Sequence, residues 1–133
     1  MTNVRHLQAY KENQITTTDS GTVLLMLYQG AIDAVNRAAE HMAEGNMPEK
    51  GRLILLANDI INQFVVSLDH DAGGEVARNL EALYSFMLEQ ILIANVQNDR
   101  RPLQTVASLL STLKQGWESA IADQRKRAAR GAA

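Results

Sequence analysis

The densest group of ionisable side chains lies in the segment Asp69-His70-Asp71-Ala72-Gly73-Gly74-Glu75. A histidine between two aspartates could serve as a general base or bind a metal ion. The segment fails as an EF-hand loop, because a glycine replaces the third carboxylate and Leu80 stands where the bidentate glutamate belongs. It also fails as a phosphate-binding loop, because no Lys-Ser/Thr pair follows the glycines. Turn formation and helix capping are therefore the favoured interpretation.

The remaining sequence offers no other carrier of catalysis. The other two histidines, His6 and His41, have no partner at metal-ligand spacing, and the chain lacks the inward-facing Glu-x-x-His pairs of diiron bundles. The chain contains no cysteine, which excludes a disulfide framework, Cys-ligated zinc, a thiol nucleophile and an iron–sulfur cluster. The sequence therefore predicts a protein that is not an enzyme and that binds no cofactor and no metal.

Length and composition favour one soluble domain, since the chain has 133 residues, of which 46% are hydrophobic and 21% are charged. No apolar run is long enough to span a membrane, and the N-terminus lacks a signal-peptide pattern. We therefore expect a cytoplasmic protein without a membrane partner.

Charge is divided unevenly along the chain. Residues 1–99 carry a net charge of −7 and residues 100–133 carry +5. The basic part ends in Arg125, Lys126, Arg127 and Arg130, and we interpret residues 125–133 as a disordered, solubilising tail. Contact of this tail with nucleic acid or an acidic partner is the alternative. No reading helix or interleaved aromatic residue supports nucleic-acid binding, so none is predicted.

The ionisable residues described above should be positioned by four segments with helical periodicity. The first spans 20–44 between a capping Asp19 and Gly45, the second opens at Pro48, the third follows Gly74 and the fourth follows Pro102. Short links force neighbouring helices to run antiparallel. The sequence thus predicts an all-α, antiparallel up-down four-helix bundle over residues 18–124, preceded by a loosely docked arm over residues 1–17.

Each predicted helix has a core-facing stripe of apolar residues, which in the third helix includes Val76, Tyr84 and Met87. Tyr28, Tyr84 and Trp117 fall on these stripes and are interpreted as structural. The third helix also carries a second apolar stripe. At about 100° per residue, Leu88, Leu92 and Val96 lie roughly opposite the core-facing positions.

The second helix carries a similar outward line. Leu55 and Val66 fall well away from its core face, on a line that passes Asn62 and lies near Asn58. Because the two helices are antiparallel, Leu55 should lie toward the Leu92–Val96 end. Together the two lines are a candidate groove for an amphipathic partner helix, with the asparagines available to exposed backbone groups. Self-association and ordinary solvent-facing leucines are the alternatives.

Several short motifs stand out along the chain: Ala9-Tyr10, positions 24–32, positions 68–84, Phe86-Met87, Ala94-Asn95 and Trp117. Together they resemble the motifs of one protein family, the flagellar secretion chaperones of the FliS type. The resemblance covers essentially residues 9–121 and is most specific in the Leu-Asp-x-x-x-Gly-Gly-Glu stretch that begins at Leu68. The family often has Ser/Asn-Pro where this chain has Asp19-Ser20, but Asp19 remains a good helix cap.

The resemblance implies a chaperone that binds the disordered C-terminal segment of flagellin in the cytoplasm and prevents premature polymerisation. The alternative is a regulatory adaptor that contacts an export-gate component or an assembly regulator. Dimerisation of the client-free protein through the groove also stays open. Tyr10 is expected to contact the client or to plug the groove from the arm. The expected partner-binding residues are Tyr10, Leu55, Asn58, Asn62, Val66, Leu88, Leu92, Asn95 and Val96.

Overall fold

A computed structural model describes residues 19–132, which form four α-helices joined by short turns. Helix α1 spans Ser20–Glu44, α2 spans Met47–Ser67, α3 spans His70–Gln97 and α4 spans Arg101–Ala132. Each helix contacts the next in sequence, and α4 also contacts α1. The predicted all-α, four-helix bundle is therefore confirmed. The predicted arm and Tyr10 lie outside the described residues.

Polar side chains and left-handed residues set the helix ends, as the sequence pattern indicated. The Asp19 carboxylate accepts a hydrogen bond from the Thr22 backbone N–H at 2.8 Å, and this bond, followed by Arg125, holds the pKa of Asp19 below its ordinary value. Helix α1 stops at Gly45, whose φ of 78° is left-handed. Helix α3 stops at Asn98, which is also left-handed with φ 52°.

The start of α3 is kinked at the two glycines. Gly74 has φ 52° and ψ −122°, a conformation that strongly favours glycine, and a Cβ on Gly73 would lie 2.9 Å from that of Ala77. The Asp69 side chain caps the turn before the kink by accepting from the Ala72 N–H at 3.0 Å. His70 Nε2 lies 3.0 Å from Glu81 Oε2. In the group of ionisable residues that opened the sequence analysis, Asp69 therefore caps the helix as predicted, and His70 forms an ion pair.

An aromatic cluster joins all four helices in the core. Tyr28 stacks on Phe64 with ring centroids 4.4 Å apart, and Phe64 lies 5.5 Å from Tyr84. The hydroxyls of Tyr28 and Tyr84 are hydrogen bonded to each other, and Trp117 Nε1–H donates to the Tyr28 hydroxyl at 3.0 Å. Tyr28 and Tyr84 are buried and Trp117 is half-buried against the core. The structural roles predicted for these three residues are confirmed.

One residue assigned to the core by periodicity is exposed. Val76 lies in the first turn of α3 after the kink and is 65% exposed, whereas its neighbour Ala77 is buried. The helical stripe through Leu80 predicts Val76 on the core face. The prediction is wrong because this first turn lies at the end of the bundle, where the other helices leave Val76 uncovered.

The C-terminal segment also differs from the sequence prediction. Helix α4 continues to Ala132, so residues 125–132 are helical rather than a disordered tail. Arg125 donates to both carboxylate oxygens of Asp19, at 2.9 and 2.8 Å, and Arg127 pairs with Asp123 one turn earlier at 3.1 Å. Alanine and arginine are also strong helix formers. These contacts stabilise the end of α4 as a helix. The basic composition on which the prediction of a disordered tail rested does not indicate them.

Candidate partner-binding surface

Helix α2 contributes two exposed aliphatic side chains to the predicted surface. Leu55 is 52% exposed and Val66 is 78% exposed, although the neighbouring Ile54 is buried in the core. Asn62 is exposed between them, and Asn58 is half-buried. The α2 half of the predicted surface therefore consists of two apolar residues separated by amide side chains.

Helix α3 contributes the second half. Leu92 is 61% exposed and Val96 is 75% exposed, and Asn95 is exposed beside them. Leu88 differs from the sequence prediction because it is half-buried and packs against the core. We call the exposed residues Leu55, Asn62, Val66, Leu92, Asn95 and Val96 the α2–α3 surface.

A contact between the two helices fixes their relative register. Lys50 in the first turn of α2 donates from Nζ to the Asn95 backbone carbonyl at 3.5 Å and to Asn98 Oδ1 at 3.3 Å. The start of α2 therefore lies beside the end of α3, and Leu55 lies toward Leu92 and Val96, as the sequence predicted. Four of the eight large hydrophobic side chains that are exposed within residues 19–132 belong to this surface.

Two ion pairs lie next to this contact in the sequence. Arg52 Nη2 is 2.9 Å from Glu49 Oε2, and Arg101 Nη2 is 2.8 Å from Asp99 Oδ2. The hydrogen bonds from these arginines are the main cause that lowers the pKa of Glu49 and of Asp99. Near neutral pH both carboxylates are thus ionised and paired with arginine, and neither forms an ion pair with Lys50.

An apolar pocket of about 240 Å³ opens near the other end of the bundle, among all four helices. Aliphatic and aromatic side chains form most of its wall, and Ser20, Gln63 and Ser67 are its polar residues. This lining suits an apolar group rather than an ion. Periodicity could not reveal the pocket, because its wall combines short stretches of four helices: Val23, Leu24, Leu27, Phe64, Leu68, Leu80, Tyr84 and Trp117.

The described residues offer neither metal chemistry nor a membrane span. In residues 19–132, no cluster of three or more histidine, aspartate or glutamate side chains could hold a metal ion. Of the four helices, none is both long and apolar enough to cross a membrane.

The arrangement of motifs on this bundle is matched by a known family. The model of the flagellar protein FliS family matches residues 1–124. The chain belongs to the FliS family. Because this is a family of chaperones rather than enzymes, the prediction of a non-enzymatic protein is confirmed.

Individual members of the family are similar over most of their length. The flagellar secretion chaperone FliS of Vibrio cholerae is 35% identical over 116 residues, which cover 84% of this chain and 85% of the relative. FliSB of Pseudomonas aeruginosa is 34% identical over 114 residues, covering 86% and 90%. FliS of Salmonella typhimurium is 32% identical over 114 residues, covering 85% and 84%.

Proposed function

We propose that this protein is a cytoplasmic export chaperone that binds the disordered C-terminal segment of flagellin. By covering the apolar residues through which flagellin subunits pack together, it would prevent premature polymerisation and support flagellar type III secretion. Membership of the FliS family supports this proposal, because relatives in three bacteria carry the name flagellar secretion chaperone.

The observation that carries the proposal is the α2–α3 surface. Leu55, Val66, Leu92 and Val96 are exposed on two adjacent helices, and an amphipathic segment that folds along them would bury its own apolar face in return. Burying one large aliphatic side chain contributes about 1.5–3 kcal/mol. The bound segment loses conformational entropy when it becomes ordered. Only a long interface offers enough such contacts to offset this loss, so we expect an extended interface.

The amide side chains on this surface suit a client that folds on binding. Asn62 and Asn95 are exposed and carry both donor and acceptor atoms. A partly helical segment leaves unpaired backbone groups at the ends of its helices. The asparagines would satisfy these groups, whereas an entirely aliphatic surface would leave them without partners.

Co-purification with flagellin tests the proposal directly. The protein should form a stable complex with full-length flagellin and none with flagellin that lacks its C-terminal segment. The isolated C-terminal segment should compete for the site and gain helical circular dichroism on binding. Equal capture of full-length and truncated flagellin would overturn the proposal.

A second candidate is a regulatory adaptor that contacts an export-gate component or an assembly regulator. The exposed basic residues Lys126 and Arg130 near the end of α4 favour it, because they offer an attractive surface to an acidic protein. Replacing both with glutamate should weaken such a contact and leave flagellin binding unchanged.

Self-association of the client-free protein through the α2–α3 surface predicts a dimer in light scattering that dissociates when the flagellin segment is added.

A further inference from the structure

Lys50 lies where a lysine is unfavourable for two reasons. It is in the first turn of α2, where the positive end of the helix dipole disfavours a cation. It is also only 8% exposed, and within residues 19–132 it is the only charged residue that is buried. Burial of an ammonium group is costly unless polar partners replace its water. This position therefore requires a compensating interaction.

The compensation comes from the end of the neighbouring helix. Nζ donates to the Asn95 carbonyl and to Asn98 Oδ1, at 3.5 and 3.3 Å. The Asn95 carbonyl is in the last turn of α3, where carbonyls lack the N–H donors of a following turn and where the helix dipole is negative. Asn98 holds the left-handed position that ends the helix. Lys50 thus caps α3 from outside that helix.

The ammonium group has no competing acidic partner in the described part of the chain. None of the ion pairs formed by residues 19–132 includes Lys50. Glu49 beside it is paired with Arg52, and Asp99 beside Asn98 is paired with Arg101. The contacts of the Lys50 ammonium are therefore directed to the end of α3 and to no carboxylate.

The helix end that Lys50 holds is part of the α2–α3 surface. Val96 lies in the capped turn of α3, Leu92 lies one turn earlier, and Leu55 follows Lys50 on α2. We propose that Lys50 is a positioning residue for client binding: it holds the end of α3 against α2, and so keeps Leu92 and Val96 at a fixed spacing from Leu55. This inference rests on the proposed function, because it concerns the affinity for the same client segment.

Loss of this contact should weaken binding without unfolding the bundle. A frayed last turn would have to be ordered again whenever the client binds, and that cost lowers the apparent affinity. Hydrogen bonds to charged groups are worth about tenfold or more in an equilibrium constant. We therefore expect roughly tenfold weaker binding of the flagellin segment when the contact is removed.

Three variants test the proposal by titration with the flagellin C-terminal segment, at a temperature where circular dichroism shows each to be folded. Lys50→Met removes the cation and keeps the length of the side chain, and Asn98→Gly removes one acceptor and keeps the left-handed turn. Both should bind about tenfold more weakly, and the double variant no more weakly than Lys50→Met alone. The control is Lys114→Met, which removes a half-buried lysine that pairs with Glu118 on α4 at 3.1 Å. It should bind like the wild type.

Amide hydrogen exchange of the free protein supplies a readout that general destabilisation would not reproduce. In Lys50→Met and Asn98→Gly, protection should fall at residues 95–98 and persist at the buried Ile60 and Ile91. Asn98→Asp, which offers Lys50 a carboxylate, should keep both the protection and the affinity. If Lys50→Met does not fold, the comparison of Asn98→Gly with Asn98→Asp shows whether the contact between Lys50 and residue 98 supports client binding.

Two outcomes separate this inference from the proposed function. If the wild type binds the flagellin segment and both Lys50→Met and Asn98→Gly bind it equally well, the positioning role is overturned. If the wild type itself does not bind the segment, the proposed function fails and the positioning role for that client fails with it. In that case the exchange data still report whether Lys50 caps α3.

Discussion

Trp117 in α4 donates its indole N–H to the hydroxyl of Tyr28 in α1 at 3.0 Å, across 89 residues of sequence. The same hydroxyl is hydrogen bonded to that of Tyr84 in α3, and Phe64 of α2 packs against both tyrosine rings. Buried polar groups are costly when unpaired, so this chain of bonds favours one relative arrangement of three helices.

The first prediction concerns the central member of this chain. Tyr28→Phe leaves both the Trp117 N–H and the Tyr84 hydroxyl without their partner and should lower the free energy of unfolding by about 1–3 kcal/mol. Tyr84→Phe keeps the bond from Trp117 to Tyr28 and should cost less. Urea denaturation of both variants measures the difference. A larger loss in Tyr84→Phe would show that Tyr28 is not the central member.

The second prediction concerns alkaline pH. Burial is the main cause that raises the pKa of both Tyr28 and Tyr84 above the ordinary value near 10. The unfolded chain loses these protons near pH 10, whereas the folded protein retains them. The stabilisation is therefore complete below about pH 10 and falls as the pH rises above it.

Phenolate absorbance during a pH titration measures this effect. Two of the three tyrosines should ionise only as the protein unfolds, and the Tyr28→Phe/Tyr84→Phe double variant should lose this late step. Reversible ionisation of all three tyrosines near pH 10, with helical circular dichroism unchanged, would contradict the prediction.

The third prediction compares two exposed aliphatic residues of α3. Leu92→Asp should abolish binding of the flagellin C-terminal segment and leave helicity and melting temperature nearly unchanged, because a charge in the interface loses its water while in the free protein it is solvated. Val76→Asp is the matched control, since Val76 is equally exposed but lies outside the α2–α3 surface. Isothermal titration calorimetry should detect binding of the flagellin segment to Val76→Asp and not to Leu92→Asp.

Leu88→Asp should behave differently from Leu92→Asp. Because Leu88 is half-buried against the core, its replacement by aspartate should lower the melting temperature as well as the affinity. Thermal denaturation distinguishes the two residues. Unchanged stability of Leu88→Asp would assign Leu88 to the surface rather than to the core.

The fourth prediction concerns backbone strain at a glycine, in a comparison of two glycines that both have room for a Cβ. A Cβ would meet nothing within 4 Å at either Gly74 or Gly116, but only Gly74 has a positive φ. Gly74→Ala should therefore lower the free energy of unfolding by about 1–3 kcal/mol. Gly116→Ala, inside helix α4, should raise it by about 0.5–1 kcal/mol. Denaturation curves that shift in the same direction for both variants would refute the assignment.

Local sequence signals were sufficient for the main elements of the fold. The caps Asp19 and Asp69, the stop at Gly45 and the apolar periodicity each act within a few residues, so all four helices were predicted and α1 has the predicted bounds. Helix α3 begins at His70 rather than after Gly74, and α4 continues past residue 124. The same periodicity indicated that Leu55 and Leu92 face away from the core, because a helix has one buried side. Exposure near the end of a helix depends on what covers it, which is why Val76 was misassigned.

By itself, the sequence determined the class of this protein: four amphipathic helices, no thiol chemistry, and more apolar surface than one core buries. Only the tertiary structure decided how distant residues meet. It joined Tyr28 to Trp117, placed Lys50 on the end of α3, tied Arg125 to Asp19 and left an apolar pocket among four helices. The physical reason is range: capping and periodicity act over a few residues, whereas these contacts depend on which helices lie side by side.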